Sequence, residues 1–299
     1  SYDDERMIGM EGISIPDEED EATTPAFRVR GRIRIDSWEE EQYRGAIEQG
    51  LDLLREGTLE KIVLARRIRI RLSTSFSVRR TLRSLIAQPH AFALCYSPDG
   101  RRFFISATPE RLGRVRDGEF STMALAGSLP RENGIVVDTD MLLADAKERA
   151  EHDYVVEMIR RGVAPYCQDL SANDVQLLDL PHVTHILTHI QGKLAEGYGI
   201  SDVIASLHPT PAVAGTPRER ACREITRIEG FPRGLYAGCI GWMDAAGNGD
   251  AAVTIRSAVV RGKDAWAFAG AGILRESDPT GEERETRVKL QTMLDILGS

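Results

Sequence analysis

Leu235–Ala271, LYAGCIGWMDAAGNGDAAVTIRSAVVRGKDAWAFAGA, decides the fold class. It reads as three successive strands, Leu235–Asp244, Gly249–Val260 and Ala265–Ala271, with the Asn248-Gly249 turn closing the first two into a hairpin. Hairpins recur upstream: Ala91–Tyr96 and Arg102–Ser106 flank the turn Ser97–Gly100, and Arg114–Arg116 pairs with Glu119–Ala124. Strands that follow one another without a helix between them argue against a doubly wound parallel sheet. The stretch Ala269-Gly270-Ala271-Gly272-Ile273 brings backbone close to a neighbour, but its G-x-G lacks dinucleotide-binding spacing and precedes no complete βαβ unit. A nucleotide cofactor is therefore not expected.

Further out, Leu59–Leu72 (LEKIVLARRIRIRL) and Phe27–Ile35 alternate with a period of two, as strands do. Helices are expected at Glu39–Arg55, with Ser37 and Glu40 as a capping box and Gly57 as its stop, and at Ser77–Ile86 and Arg218–Ile228, with a short helix or turn at Ser201–Ser206. Leu142–Tyr166 predicts a central helix whose apolar stripe includes Val155, Ile159 and Val163. Residues 1–26, with the acidic run Asp17–Glu21, predict a flexible arm, and the length of the rest allows one large domain or two of ordinary size.

The chain has 299 residues, 42% of them hydrophobic, enough to bury a large core. A formal charge of −8 argues against a general nucleic-acid binder despite arginine-rich patches at Ala65–Arg71 and Val78–Arg83. Four scattered cysteines without a CxxC pair predict reduced thiols in a cytoplasmic protein. No apolar run is long enough to span a membrane, and no signal peptide is evident.

The chemistry-bearing residues start with two acidic pairs. Glu148 and Glu151 share a face of the central helix, and Glu282 and Glu285 repeat that spacing in a second helix at Gly281–Leu290. Such pairs are most often solvated surface, but four converging carboxylates need a cation, and oxygen-only donors suit Mg2+ better than zinc. Lys61 shares a strand face with Val63 and Ala65, an unusual place for an amine. Glu110 follows a proline at a strand end, and Gly127-Ser128 exposes backbone donors suited to an anion. His182, His185 and His189 do not form a zinc site, because alternation puts His182 opposite the other two and no cysteine is near; His185 remains a pocket candidate. The stiff loop His208–Gly215 and Arg256, embedded in an apolar strand, complete the set.

These segments follow the motif order of the chorismate-utilising enzymes. Lys61 in Glu60–Arg66, Glu110 in Thr108–Leu112, Leu125–Ser128, Lys147–His152, His208–Gly215, Tyr236–Gly238, Thr254–Ala258, Ala269–Ile273 and Gly281–Leu290 carry the likeness. From about Leu51 to the C-terminus the chain resembles the isochorismate synthases of that family, relatives of anthranilate, aminodeoxychorismate and salicylate synthases. The resemblance implies an anthranilate-synthase-like α/β (α+β) fold of two packed, mostly antiparallel sheets with outer helices. Residues 27–299 would form a single chorismate-binding catalytic domain, with the family's usual N-terminal region present only in part.

Carried over residue by residue, Glu151 and Glu285 would ligate Mg2+ directly, with Glu148 and Glu282 assisting. Gly127 and Ser128 would help bind the substrate, and Tyr236, Arg256 and the backbone of Gly270, Ala271 and Gly272 would hold its enolpyruvyl carboxylate. His185, Thr210, Ala212 and Val213 would line the ring. Lys61 would be the base that activates water and Glu110 the acid for the departing hydroxyl, which requires an amine that readily loses its proton and a carboxyl that keeps one. Ammonia-using relatives carry glutamine at Lys61's place, so the resemblance implies water as nucleophile, no glutamine amidotransferase partner and an independent monomer. Val213 favours isochorismate as product over salicylate, whereas Tyr236 points slightly the other way. A salicylate synthase and a non-catalytic chorismate-binding scaffold are the alternatives. The same first reaction serves siderophore, menaquinone and salicylate metabolism.

Overall fold

The computed structural model describes residues 34–35, 38–131 and 139–299, so the expected arm, most of the expected strand Phe27–Ile35 and the Ser37 cap lie outside the described residues. In chain order the described elements are β1 (Arg34–Ile35), α1 (Trp38–Arg55), β2 (Lys61–Arg71), α2 (Val78–Ile86), β3 (Phe92–Tyr96), β4 (Arg102–Thr108), β5 (Arg111–Arg116) and β6 (Glu119–Pro130). Then come α3 (Thr139–Ala144), α4 (Ala146–Val163), β7 (Cys167–Ala172), β8 (Gln176–Asp179), β9 (Val183–Leu194), α5 (Ile200–Leu207), β10 (Gly215–Thr216) and α6 (Arg218–Glu229). The last are β11 (Cys239–Met243), β12 (Gly249–Val253), β13 (Ser257–Arg261), β14 (Asp264–Ile273) and α7 (Pro279–Gly298).

Strand β2 is the spine of the first sheet. Lys61 through Arg66 are all buried, so both of its faces are covered at this end. Strand β14 runs antiparallel beside it, from Asp264 opposite Arg71 to Ile273 opposite Ile62, while β1 and β10 share its other edge. The first sheet has the order β1-β2-β14-β13-β4-β3, and the second β11-β12-β5-β6-β9-β7 with β8 beside β9. Every described pairing is antiparallel, as the hairpin-rich sequence implies.

Two predicted elements are broken, each for a local reason. Gly249–Val260 is not one strand: β12 belongs to the second sheet and β13 to the first, and between them Arg256 takes φ +48°. A left-handed residue cannot continue an extended run, so the chain turns from one sheet into the other. The β4–β5 connection makes the same passage, and the two crossings are bonded: Val253 N–H donates to Glu110 O at 3.0 Å, and Ala107 N–H to Arg256 O at 3.0 Å. Glu110 and Arg256 thus stand together at the seam between the sheets. Likewise Leu142–Tyr166 is not one helix, because Asp145 separates α3 from α4 and its carboxylate accepts the Glu148 amide at 3.0 Å. That contact caps α4, a role for which aspartate is better suited than for a helix interior.

Three apolar clusters hold these layers. Helices α4 and α5 pack Val155, Ile159, Val163, Val203 and Leu207 against Phe120, Ala124 and Ile190 of the second sheet. Helices α1 and α6 pack Ile47, Leu51, Leu54 and Ile225 onto Ile62, Leu64, Ala271 and Ile273. Leu85, Leu290, Met293 and Ile296 of α2 and α7 cover Ile68, Ile70, Ile105, Ala258 and Val260. Each fully buried branched side chain of this kind contributes roughly 1.5–3 kcal/mol.

Candidate active site

A pocket between the two sheets is lined from strands of both and from helices α4 and α7. Strand parity supplies its first wall: in β2, Ile62 and Leu64 join the α1/α6 cluster while Val63 faces the pocket, and in β14, Gly270 and Gly272 face it while Ala271 packs with Leu64. Gly272 is required by close approach, since a Cβ there would lie 2.8 Å from Lys61 Cε and 3.2 Å from Glu151 Oε1.

One glutamate of each acidic pair reaches the pocket. Helix α4 brings Glu151 and helix α7 brings Glu285 to the pocket. Lys61 Nζ lies 2.6 Å from Glu151 Oε1, with the two side chains 5% and 18% exposed, and Lys289 Nζ contacts Glu285 Oε1. Ser128 ties the two helices together: its N–H donates to Glu148 Oε2 at 2.7 Å and its hydroxyl to Glu285 Oε1 at 3.5 Å. Glu282, buried behind them, accepts the Ser277 hydroxyl at 2.7 Å. Burial, then Glu282 and Glu285, push the nearby Tyr43 hydroxyl well above the usual phenol range.

Among the described residues, no three carboxylate, imidazole or thiolate groups stand as a ready chelate, and two ammonium groups partner the glutamates. An all-oxygen donor set reaching one pocket from two helices nevertheless fits a hard divalent cation. Such an ion would need Lys61 and Lys289 to yield their carboxylate contacts.

Ser128 is presented by a bulge in β6, where the register shifts between Leu125 and Ser128 and Gly127 takes φ +78°. His152 Nδ1 lies 3.1 Å from Ala126 O and its Nε2 2.8 Å from Thr188 Oγ1, holding the bulge against α4 and β9. His185 stands opposite Ser128 in the β6–β9 ladder, and Arg256 Nη2 donates to its Nε2 at 3.3 Å. Burial, then Arg256 and Lys289, push His185 well below the usual imidazole range, so it is neutral and can accept that bond. Burial lowers Arg256 to about 10, with Glu285 and Tyr236 opposing the shift. The buried fork still carries its charge at neutral pH, and its partners are weak ones: Lys289 O and Thr292 Oγ1 both lie 3.5 Å away. Tyr236 stacks on Phe268 with ring centroids 5.3 Å apart, and burial raises its hydroxyl so that it stays protonated.

Glu110 is buried at the seam and lines the pocket. Burial raises its carboxyl to about 7, against the opposing pull of Lys289 and Lys61. A carboxyl raised this far can carry a proton at higher pH than an exposed glutamate does. The Lys61 amine donates to Glu151 Oε1.

Of the sequence candidates, the structure gathers Glu110, Gly127, Ser128, Glu151, His185, Ala212, Val213, Tyr236, Arg256, Gly270, Gly272 and Glu285 around the pocket. Lys61, Glu148 and Glu282 stand behind it through the contacts above. Two candidates sit elsewhere. Ala271 lies on the opposite strand face, and Thr210 is buried outside the lining, where its carbonyl accepts the amides of Val213 and Ala214 and so shapes the turn that places Val213. Lys289 was not singled out, although it stands one helical turn beyond Glu285, a spacing that sequence alone could have flagged. Phe268 and Val63 were also missed, because an apolar residue in an apolar strand carries no chemical signal.

The chain matches the chorismate binding enzyme family over residues 11–298. It is 35% identical to isochorismate synthase MenF of Bacillus subtilis over 93% of this chain, and spans 60% of that relative's length. Among solved structures, MenF, the menaquinone-specific isochorismate synthase from Escherichia coli, superposes with a TM-score of 0.80 at 29% identity, covering 93% of this chain and 66% of that one. Anthranilate synthase component I from Streptococcus pneumoniae superposes with a TM-score of 0.76 at 28% identity, covering 88% and 59%. With a match over nearly its whole length and a pocket built from the segments that carry the likeness, the chain belongs to the chorismate-binding enzymes.

Proposed function

We propose that this chain is an isochorismate synthase, adding water at C2 of chorismate and releasing the C4 hydroxyl as water. One observation carries the reading: the buried Glu110 carboxyl, which burial keeps well above the usual carboxylate range, lines one pocket with Glu151 and Glu285 from the two acidic helices, and the buried Lys61 amine contacts Glu151 behind it. An acid that holds its proton near neutrality suits protonation of a departing hydroxyl, and an amine suits removal of a proton from the attacking water. Lys61 fills that role as a neutral amine, having given up its own proton and its contact with Glu151 before water is deprotonated. Magnesium, held by Glu151 and Glu285 with Glu148 and Glu282 behind them, would supply charge neutralisation for the ring carboxylate.

The protein's own groups then do the positioning. Arg256 offers its planar fork to the enolpyruvyl carboxylate, with the protonated Tyr236 hydroxyl and the Gly270 backbone beside it. Neutral His185 and the apolar faces of Ala212 and Val213 exclude bulk water from the ring. The proton that Lys61 takes from water and the proton that Glu110 gives to the leaving hydroxyl balance, so the net reaction is an isomerisation.

Residues 27–299 act as one chorismate-binding catalytic domain in this proposal, working as a cytoplasmic monomer without an amidotransferase subunit. Four unpaired thiols agree with a reducing compartment, and no helix among the described residues is long and apolar enough to cross a membrane. The test is product analysis of purified protein given chorismate with and without Mg2+. Magnesium-dependent accumulation of isochorismate is expected. Release of salicylate and pyruvate without an added lyase would favour the salicylate synthase reading, suggested by Tyr236, and binding without turnover would identify a scaffold.

A further inference from the structure

We propose that Arg233, which the chemistry above does not use, is a positioning residue that ties three separate segments of the pocket wall into one surface. Its Nη1 donates to Val213 O at 2.6 Å and its Nη2 to Val63 O at 2.8 Å. Nε and Nη2 also grip Glu229, at 2.9 Å to Oε2 and 2.5 Å to Oε1. Glu229 is 1% exposed and accepts the Ala65 amide at 2.7 Å, so the pair holds β2 by a carbonyl and an amide together. The guanidinium carbon lies 5.7 Å from the Tyr236 ring centroid, over the aromatic face. Val63, Val213 and Tyr236 all line the pocket, yet they come from β2, the loop after α5 and the turn after α6.

Chemistry explains why arginine is needed. One planar group with several fixed N–H directions serves two carbonyls and a carboxylate at once, which a lysine ammonium on a flexible stem cannot do. A buried ion pair is costly unless its hydrogen bonds are made, and here they go to the backbone of two wall segments. Val213 O and Val63 O therefore keep a fixed separation, and with it the spacing between the ring-facing loop and the strand that starts at Lys61. Misplacement of such a wall by about 1 Å lowers catalysis by up to about 100-fold.

The inference rests on the pocket being a chorismate site, but its first readout does not. Hydrogen exchange on the full chain should show Arg233→Ala exchanging at least tenfold faster at residues 62–66 and 208–215, with residues 78–86 unchanged. In turnover assays at equal folded fraction, Arg233→Ala should lose roughly 10–100-fold in kcat/KM with KM raised. Added guanidinium should restore part of it, and Arg233→Lys should recover less than a tenth. A residue that only stabilised the fold would lower the melting temperature while leaving KM unchanged and guanidinium without effect. If Arg233→Ala does not fold, Arg233→Lys takes its place in both measurements. Unchanged exchange at 208–215, or faster exchange with wild-type kcat and KM, would overturn the proposal. If the wild type does not turn over chorismate, the functional reading fails and the exchange result alone decides the clamp.

Discussion

At Glu110, burial and two nearby ammonium groups pull in opposite directions, and burial wins, raising the carboxyl from 4.5 to about 7. The sign of its effect on stability follows. The unfolded chain releases this proton at lower pH than the folded one, so the fold is favoured below pH 4.5 and loses stability as pH rises through about 7. Glu110→Gln carries no such penalty, and should gain on the order of 3 kcal/mol over the wild type between those limits, with no further change above them. Urea denaturation across the pH range checks this; parallel curves would show that Glu110 is not buried as described. Turnover should fall as pH rises past about 7, and Glu110→Gln should retain chorismate binding while losing rate at saturation. Lys61→Ala should abolish water addition and leave binding mostly intact; retained synthase activity would remove Lys61 as the base.

Helices and strands carry the site by where they break. The β6 bulge depends on Gly127, because at φ +78° an added Cβ would lie 2.8 Å from Glu148 O and 2.9 Å from Ile186 Cδ1. Gly127→Ala should cost about 1–3 kcal/mol and displace Ser128 from Glu148, measurable as a lower melting temperature together with weaker turnover. A neutral effect on both would mean that the bulge can move. Such breaks were the part of the fold that periodicity could not reveal. Alternation in Leu59–Leu72 and the hairpin turns made the antiparallel sheets legible, but Thr254-Ile255-Arg256-Ser257 alternates as any strand would. Only tertiary structure turns Arg256 left-handed and sends its chain into the other sheet. Asp145 was legible in principle as a cap, but an apolar stripe on both sides of it reads as one helix.

On the scale of the whole molecule, most of the site was legible because its residues carry chemistry in helical or strand spacing: two glutamate pairs, an inward lysine, an arginine in a strand. Their meeting was not, since α4 and α7 lie more than 100 residues apart in sequence and are joined through Ser128 and the pocket. If that meeting makes a metal site, Mg2+ at a hundredfold excess over its Kd should stabilise the folded chain by about 2.7 kcal/mol, and Glu151→Gln should erase the gain. The most direct measurement is turnover of chorismate by the purified protein in 18O-labelled water with Mg2+, read by product mass and carbon position. One labelled oxygen at C2 of isochorismate, with none in Lys61→Ala, is the expected result. Absence of label in a product formed at wild-type rate, or no magnesium-dependent product at all, would contradict water addition in this pocket.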